Sequence, residues 1–181
     1  MKTIALCFAL ILLTTGTSVS AQGNNYGERH SGALNLGLGI GGYNGHYGYY
    51  GEVGHSLPVI NVNYELGVAR NFTLAPFISL YSYSDEHYTA IVAPVGVKGT
   101  FYLDEALNAG SKWDFYLAGS LGVSLVSTTW DDQYNGDRSY YHSAHPLYLD
   151  FHIGTEYHIS NQIGLFLDLS TGVSTIGLAF H

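Results

Sequence analysis

From residue 34 onward, apolar side chains fall on every second position in run after run. The first run is Leu34, Leu36, Leu38 and Ile40, with Asn35, Gly37 and Gly39 between them. The second is Ile60, Val62, Tyr64 and Leu66, separated by Asn61, Asn63 and Glu65. The third runs Phe72, Leu74, Pro76, Ile78, Leu80, and the fourth Val95, Val97, Gly99, Phe101, with Lys98, Thr100 and Tyr102 on its other face. The fifth is Phe115, Leu117, Gly119, Leu121, Val123, Leu125. The sixth, LYLDFHIGTEYHI (147–159), alternates from Leu147 to Ile159 and is broken only by Thr155. The seventh is Ile163, Leu165, Leu167, Leu169, and the eighth Ile176, Leu178, Phe180. Side chains of a strand alternate between its two faces, so a period of two predicts eight strands, each with one apolar face. No helical period persists through these runs, and DEALNAGSKW (104–113) holds one helical turn at most.

The connections sort by length. The gaps 43–56, 84–88 and 128–146 are polar and rich in Tyr, Gly, His and Asp, whereas VARN (68–71) and SNQ (160–162) read as tight turns. The 103–113 connection is long for its side and the 171–174 turn short for its side.

The second face decides the architecture. A soluble sandwich would show water many Lys, Glu, Asp and Thr there. This chain offers Gly, Ala, Ser and Asn with a few charges. Small inward side chains suit a narrow barrel, whose interior holds little else. The expectation is therefore an all-β fold, an eight-stranded antiparallel up-and-down transmembrane β-barrel. A soluble sandwich or lipocalin-like barrel is the alternative. Composition favours the membrane: only 11% of residues are charged, against about 25% in soluble domains. Aromatic residues also gather at one set of strand ends, at Tyr64, Phe72, Phe101, Trp113, Phe115, Tyr157 and Phe180, as an interfacial girdle requires. Arg29, Arg70 and Lys112 flank the short-turn side, while Glu52, Asp85, Glu86, Asp131, Asp132 and Asp137 lie in the long loops.

The N-terminus reads as an export signal. Lys2 precedes an apolar run from Ile4 to Leu13, and Val19-Ser20-Ala21 supplies small residues for cleavage. The predicted division is a signal peptide over 1–21 and a barrel domain over 22–181. That apolar run is shorter than the roughly 20 residues a spanning helix needs. Cys7 lies within it, so the mature chain has neither disulfide nor thiol chemistry. Loss of Lys2 takes the net charge from −8 to about −9, which excludes nucleic acid as a partner.

With strands such as APVGVKGTFYL (93–103) and NQIGLFLDLSTG (161–172), after a signal ending SVSAQ, the chain resembles the small outer-membrane barrels of the OmpA/OmpX type, porin-like in wall pattern. The resemblance is one of pattern over residues 30–181. It implies outer-membrane location, both termini in the periplasm, outer-membrane lipids and the barrel-assembly machinery as partners, and a monomer. Such barrels commonly end on an aromatic residue read by the insertion machinery; here Phe180 keeps outward parity and His181 follows it.

If the sixth strand turns its apolar residues to lipid, Asp150, His152, Glu156 and His158 face the lumen. Glu65, Lys98 and Asp168 join them from other strands, with Asn61, Asn63 and His181. Lys98 is the one inward side chain that stays cationic, and its expected partner is Glu65, Asp150 or Asp168. The predicted role is a structural polar network, since buried polar groups must be satisfied internally. No metal and no cofactor is expected. His152 and His158 lie about 20 Å apart along the strand, leaving Asp150 and His152 as its one close pair.

His158-Ile159-Ser160-Asn161 resembles the His-x-Ser-Asn stretch of outer-membrane lipid A deacylases, with Asp168 the only nearby acid. Ser160 and Asn161 are, however, ordinary turn formers on the side away from such a substrate, so no enzyme is expected. WDDQYNGD (130–137) places Asp131, Gln133, Asn135 and Gly136 like a calcium loop, but His142 stands where the bidentate Glu belongs, and a solvated acidic loop is the better reading. Tyr47, Tyr49, Tyr50, Trp130, Asp131 and Asp132 are the loop residues suited to contact an extracellular protein or glycan. The expected function is membrane integrity, adhesion or recognition. The alternatives are a narrow channel or small-ligand carrier, a deacylase-like hydrolase, and a secreted soluble binding domain.

Overall fold

The computed structural model describes residues 32–41, 58–84, 88–131 and 147–181. The expected signal peptide lies outside these residues, as do Arg29, Tyr47, Tyr49, Tyr50, Glu52, Asp85, Glu86, Asp132, Asp137 and the calcium-like positions after Asp131.

The strands are β1 (Leu34–Gly41), β2 (Val59–Tyr64), β3 (Leu66–Ala69), β4 (Phe72–Ser84), β5 (Tyr88–Tyr102), β6 (Trp113–Trp130), β7 (Leu147–His158), β8 (Ile163–Ser170) and β9 (Val173–Phe180). One short helix, α1 (Asp104–Leu107), interrupts the β5–β6 connection. The sheet runs β2-β1-β9-β8-β7-β6-β5-β4-β3, and β2 pairs with β4 as well, so the sheet closes on itself. Every pairing is antiparallel. Because β2 and β3 are successive segments of one wall strand, the result is the predicted closed eight-stranded up-and-down barrel.

Three boundaries differ from the sequence pattern. The second strand is broken at Glu65, whose backbone bonds back to Ala33 and Gly32, beyond the start of β1. Val68 and Ala69 belong to β3, so only Arg70 and Asn71 form the turn, with Asn71 in the left-handed region (φ 57°) that asparagine tolerates. The polar gaps 84–88 and 128–146 begin or end inside strands, because β4 reaches Ser84, β5 starts at Tyr88 and β6 continues to Trp130. Backbone pairing carries these segments after alternation fades: Tyr88 pairs with Trp130, and their rings pack at 5.2 Å.

Wall height is uneven. β6 has 18 residues and β5 has 15, while β1, β8 and β9 have 8 each. The β8–β9 turn is accordingly low, with the Thr171 N–H bonded to the Phe151 carbonyl, four residues into β7. At the opposite end, Leu34 pairs with Phe180, so the barrel's first and last strands meet there. That end carries the β3–β4, β5–β6 and β7–β8 connections. It also holds the aromatic ring: Trp113 packs on Tyr157 at 4.9 Å and on Phe115 at 6.1 Å, and Phe72 pairs with Phe101.

The outer surface is apolar. Phe151, Ile40 and Ile153 are 68%, 62% and 59% exposed. No Asp, Glu, Lys or Arg occupies an outward strand position among the described residues. Buried residues lie inside, and many are polar or charged. Glycines there make room for rings. A Cβ on Gly154 would stand 2.2 Å from the Tyr116 ring, and one on Gly177 would lie 2.7 Å from Phe166. The abundance of small residues on the inward face is thus the counterpart of a few large inward aromatics.

Candidate functional site: the polar lumen

The closed wall satisfies its own backbone, so the lumen side chains must satisfy one another. They form four groups along the barrel.

Near the terminus-bearing end, the break at Glu65 points a buried carboxylate inward. Its Oε2 accepts from Thr73 Oγ1 and Tyr102 OH, both at 2.7 Å, and its Oε1 accepts from Asn35 Nδ2 at 2.8 Å. Asn35 Nδ2 also donates to Asn63 Oδ1, Asn63 Nδ2 to Asn61 Oδ1, and Asn61 Nδ2 to Ser79 Oγ, a relay of amides across β1, β2 and β4. Three hydroxyl and amide contacts at Glu65 thereby feed one acid from three strands.

At mid-height, Lys98 Nζ donates to Asp168 Oδ2 in a buried pair, which identifies Asp168 among the three expected partners. Asp168 also accepts from Tyr116 OH at 3.1 Å and faces His152 Nδ1 at 2.8 Å, while His152 Nε2 meets Ser120 Oγ at 2.9 Å. Lys98 Nζ stands 5.0 Å from the Tyr116 ring centre. Two cavities of about 20 Å³ each lie on either side of the Lys98–Asp168 pair, room for single waters rather than a conduit.

Toward the other end, Asp150 is 1% exposed and faces the β8–β9 turn. It accepts from Thr171 Oγ1 (2.7 Å), Gly172 N (2.8 Å), Ser170 Oγ (2.9 Å), Tyr148 OH (3.0 Å) and Val173 N (3.2 Å). The shortness of the 171–174 connection has its cause here: a carboxylate from β7 caps the hairpin beside it.

Glu156 and His158 lie at the terminus-bearing mouth, far from His152 as expected. Glu156 Oε1 is 2.7 Å from His181 Nε2 and 3.8 Å from His158 Nδ1, while His158 Nε2 is 2.7 Å from Asp114 Oδ2. The acceptor bond to Glu156 holds the His181 imidazole above its ordinary pKa. Asp150–His152 is therefore not the only close acid–imidazole pair on β7: Glu156–His158 is as near, at 3.8 Å against 3.7 Å. Asp114 falls just before the alternating run that begins at Phe115. One step further back, parity with Tyr116 places Asp114 inward, and it is 1% exposed.

The remaining candidates are simple. Trp130 ends β6 against Tyr88, and Asp131 is exposed after it. Ser160 Oγ accepts from Gln162 N (3.2 Å) and Ile163 N (3.1 Å), which makes it a turn cap, while the His158 ring is engaged by Asp114. Outside the wall, Arg70 grips Glu105 on α1 at 2.7 Å and keeps that carboxyl below its ordinary pKa.

No protein-family model and no curated protein sequence matches the chain. Among solved structures it is similar to a de novo designed transmembrane β-barrel (TM-score 0.45, 9% identity, covering 83% of this chain and 95% of that one). It is also similar to the Yersinia pestis outer-membrane protein Ail in a phospholipid nanodisc (TM-score 0.41, 10% identity, 83% and 99% covered). Ail in complex with the heparin analogue sucrose octasulfate gives a TM-score of 0.42 at 8% identity, covering 83% of this chain and 98% of that one. Identities of this size leave function to be argued from this chain's own side chains.

Proposed function

We propose that the chain is an integral outer-membrane barrel whose lumen is a structural core and whose outward role, adhesion, recognition or membrane integrity, is carried by the loops opposite the termini. The observation that carries the reading is the uncharged, apolar outer belt. In water, exposing Phe151, Ile40 and Ile153 together with the rest of that face would be costly and sticky. In lipid it is the required surface. The belt runs from Trp113 to Leu125 on β6, about 30 Å at an ordinary strand tilt, close to a hydrocarbon core. Above it the outward positions turn polar, at Ser82, Thr89, Ser127 and Thr129.

The aromatic ring at the terminus-bearing end fits the periplasmic interface, and export by a cleaved signal fits that placement. Loops 42–57 and 132–146 would then face outside, with Tyr47, Tyr49, Tyr50 and Asp132 beside Trp130 and Asp131 as contacts for an extracellular protein or glycan. The filled interior favours neither a channel nor a carrier.

The test is fractionation with gel migration before and after boiling. A membrane-bound protein whose migration shifts on heating supports the reading, and reconstituted vesicles should show no steady conductance. Recovery in the soluble fraction without a shift would overturn it.

A further inference from the structure

We propose that Glu156, His158 and His181 form a binding site for a divalent transition-metal ion of the zinc class at the terminus-bearing mouth of the lumen, with Asp114 as its supporting carboxylate. One ligand atom from each of the three residues lies within 4.8 Å of the others. They come from β7 and from the residue after β9, strands separated by β8, and meet because β8 presents only Gly164 between them. A Cβ at Gly164 would stand 1.8 Å from Glu156 Oε1, so the glycine leaves the space that carboxylate occupies.

Hydrogen-bond chemistry gives the second reason. Asp114 is an acceptor, so the 2.7 Å contact requires His158 Nε2 to carry the proton and donate it. In the neutral ring, Nδ1 then carries the free lone pair, and it lies 3.8 Å from Glu156 Oε1. Glu156 Oε1 also accepts the His181 Nε2 proton at 2.7 Å, and a bound cation would take that proton's place between the two atoms. An imidazole oriented by a carboxylate on its far nitrogen is the arrangement of metal-binding histidines. Zinc bonds of about 2.0–2.2 Å would place the ligand atoms roughly 3.3 Å apart. The 2.7 Å Glu156–His181 contact would open slightly and the 3.8 Å Glu156–His158 contact would close slightly. Both imidazole rings retain some exposure, with side chains 15% and 14% accessible, so an ion can reach them from the mouth. Two imidazoles and one carboxylate leave a fourth position for water.

Trp113, beside Asp114 in sequence, supplies a reporter. In a Trp130→Phe background, tag-free folded protein in detergent is titrated with Zn²⁺ by calorimetry and with Cu²⁺ by tryptophan quenching. Saturable one-to-one Zn²⁺ binding is expected, together with quenching of Trp113 by Cu²⁺ that Zn²⁺ reverses. His181→Gln lies outside the strands and should fold; it should weaken binding at least tenfold. Asp114→Asn should weaken it about 10–100-fold while the heat-dependent gel shift is kept. Absence of saturable Zn²⁺ binding would overturn the proposal. So would binding unchanged in His181→Gln and His158→Gln, which would place the ion on loop histidines.

Discussion

Replacing Asp150 with alanine tests how the short β8–β9 hairpin is held. Five donors converge on this carboxylate, and three of them, Tyr148, Ser170 and Thr171, are hydroxyls that can turn to other acceptors. The Gly172 and Val173 N–H groups cannot. Val173 is buried, and the turn lies level with Phe151, below the outward-facing Leu149 and Leu147 of the adjacent strand, which the proposed membrane reading sets in lipid, so bulk water does not replace the lost acceptor. A hydrogen bond to a charged group contributes about 1.5–3 kcal/mol, and an orphaned buried N–H costs about 1–3. Against this, alanine spares the desolvation of a buried carboxylate, which has His152 at 3.7 Å as its one nearby imidazole among the described residues. The net expectation is a loss of about 2–4 kcal/mol for Asp150→Ala. Asp150→Asn keeps one acceptor oxygen and should lose about half as much. Reversible urea unfolding in lipid vesicles, followed by tryptophan emission, measures both. Coupling adds a second handle. A Cβ on Gly172 would lie 2.9 Å from the Asp150 carboxylate, so Gly172→Ala should cost less in the Asp150→Ala background than alone. A loss below about 0.5 kcal/mol for Asp150→Ala, set against the hydrogen-bond values above, would refute the cap.

Gly154→Ala should push the Tyr116 ring off the β7 wall and cost about 1–3 kcal/mol in the same unfolding assay, whereas Gly110→Ala, with open space around it, should be close to neutral. Lys98→Met should destabilise by about 3–5 kcal/mol because it strands Asp168, and the Lys98→Met/Asp168→Leu double variant should lose clearly less than the sum of the single changes. On the outside, Glu105 should titrate below an ordinary glutamate, and Arg70→Ala should return it to the ordinary range, read by carboxyl NMR. Because the folded pKa is depressed, the Arg70 contact stabilises fully above the unfolded glutamate pKa and fades as pH falls through the lower folded value.

Much of the barrel was legible from alternation alone, since strict parity from Leu34 to Phe180 assigns almost every inward and outward residue. Parity lost its grip where the two faces stop differing in polarity, both largely apolar in the upper part of β5 and both largely polar in that of β6, and cross-strand pairing extends the strands there. Nor could one strand's spacing reveal its neighbours. Within β7, Glu156 and His158 look like a pair of lumen groups; Asp114 and His181 join them only through register, Asp114 opposite Glu156 and His181 just past the end of β9. Which acid takes Lys98 is likewise a matter of register, as is the role of Asp150 in capping a turn twenty residues away.

If the barrel spans a bilayer as proposed, the uneven wall has a consequence for the surrounding lipid. On β6 the apolar outward positions rise about 30 Å from Trp113 to Leu125, but on β8, from Ile163 to Leu169, they rise only about 15 Å. A flat bilayer cannot match both sides. Hydrophobic mismatch of this kind is relieved by tilt or by local thinning, at a fraction of a kcal/mol per ångström. The barrel should therefore lean, or gather a thin, disordered crescent of lipid along β8, β9 and β1. Either response gives an otherwise round cylinder a front and a back within the plane of the membrane, so that the tall β4–β6 face projects from it in a fixed direction.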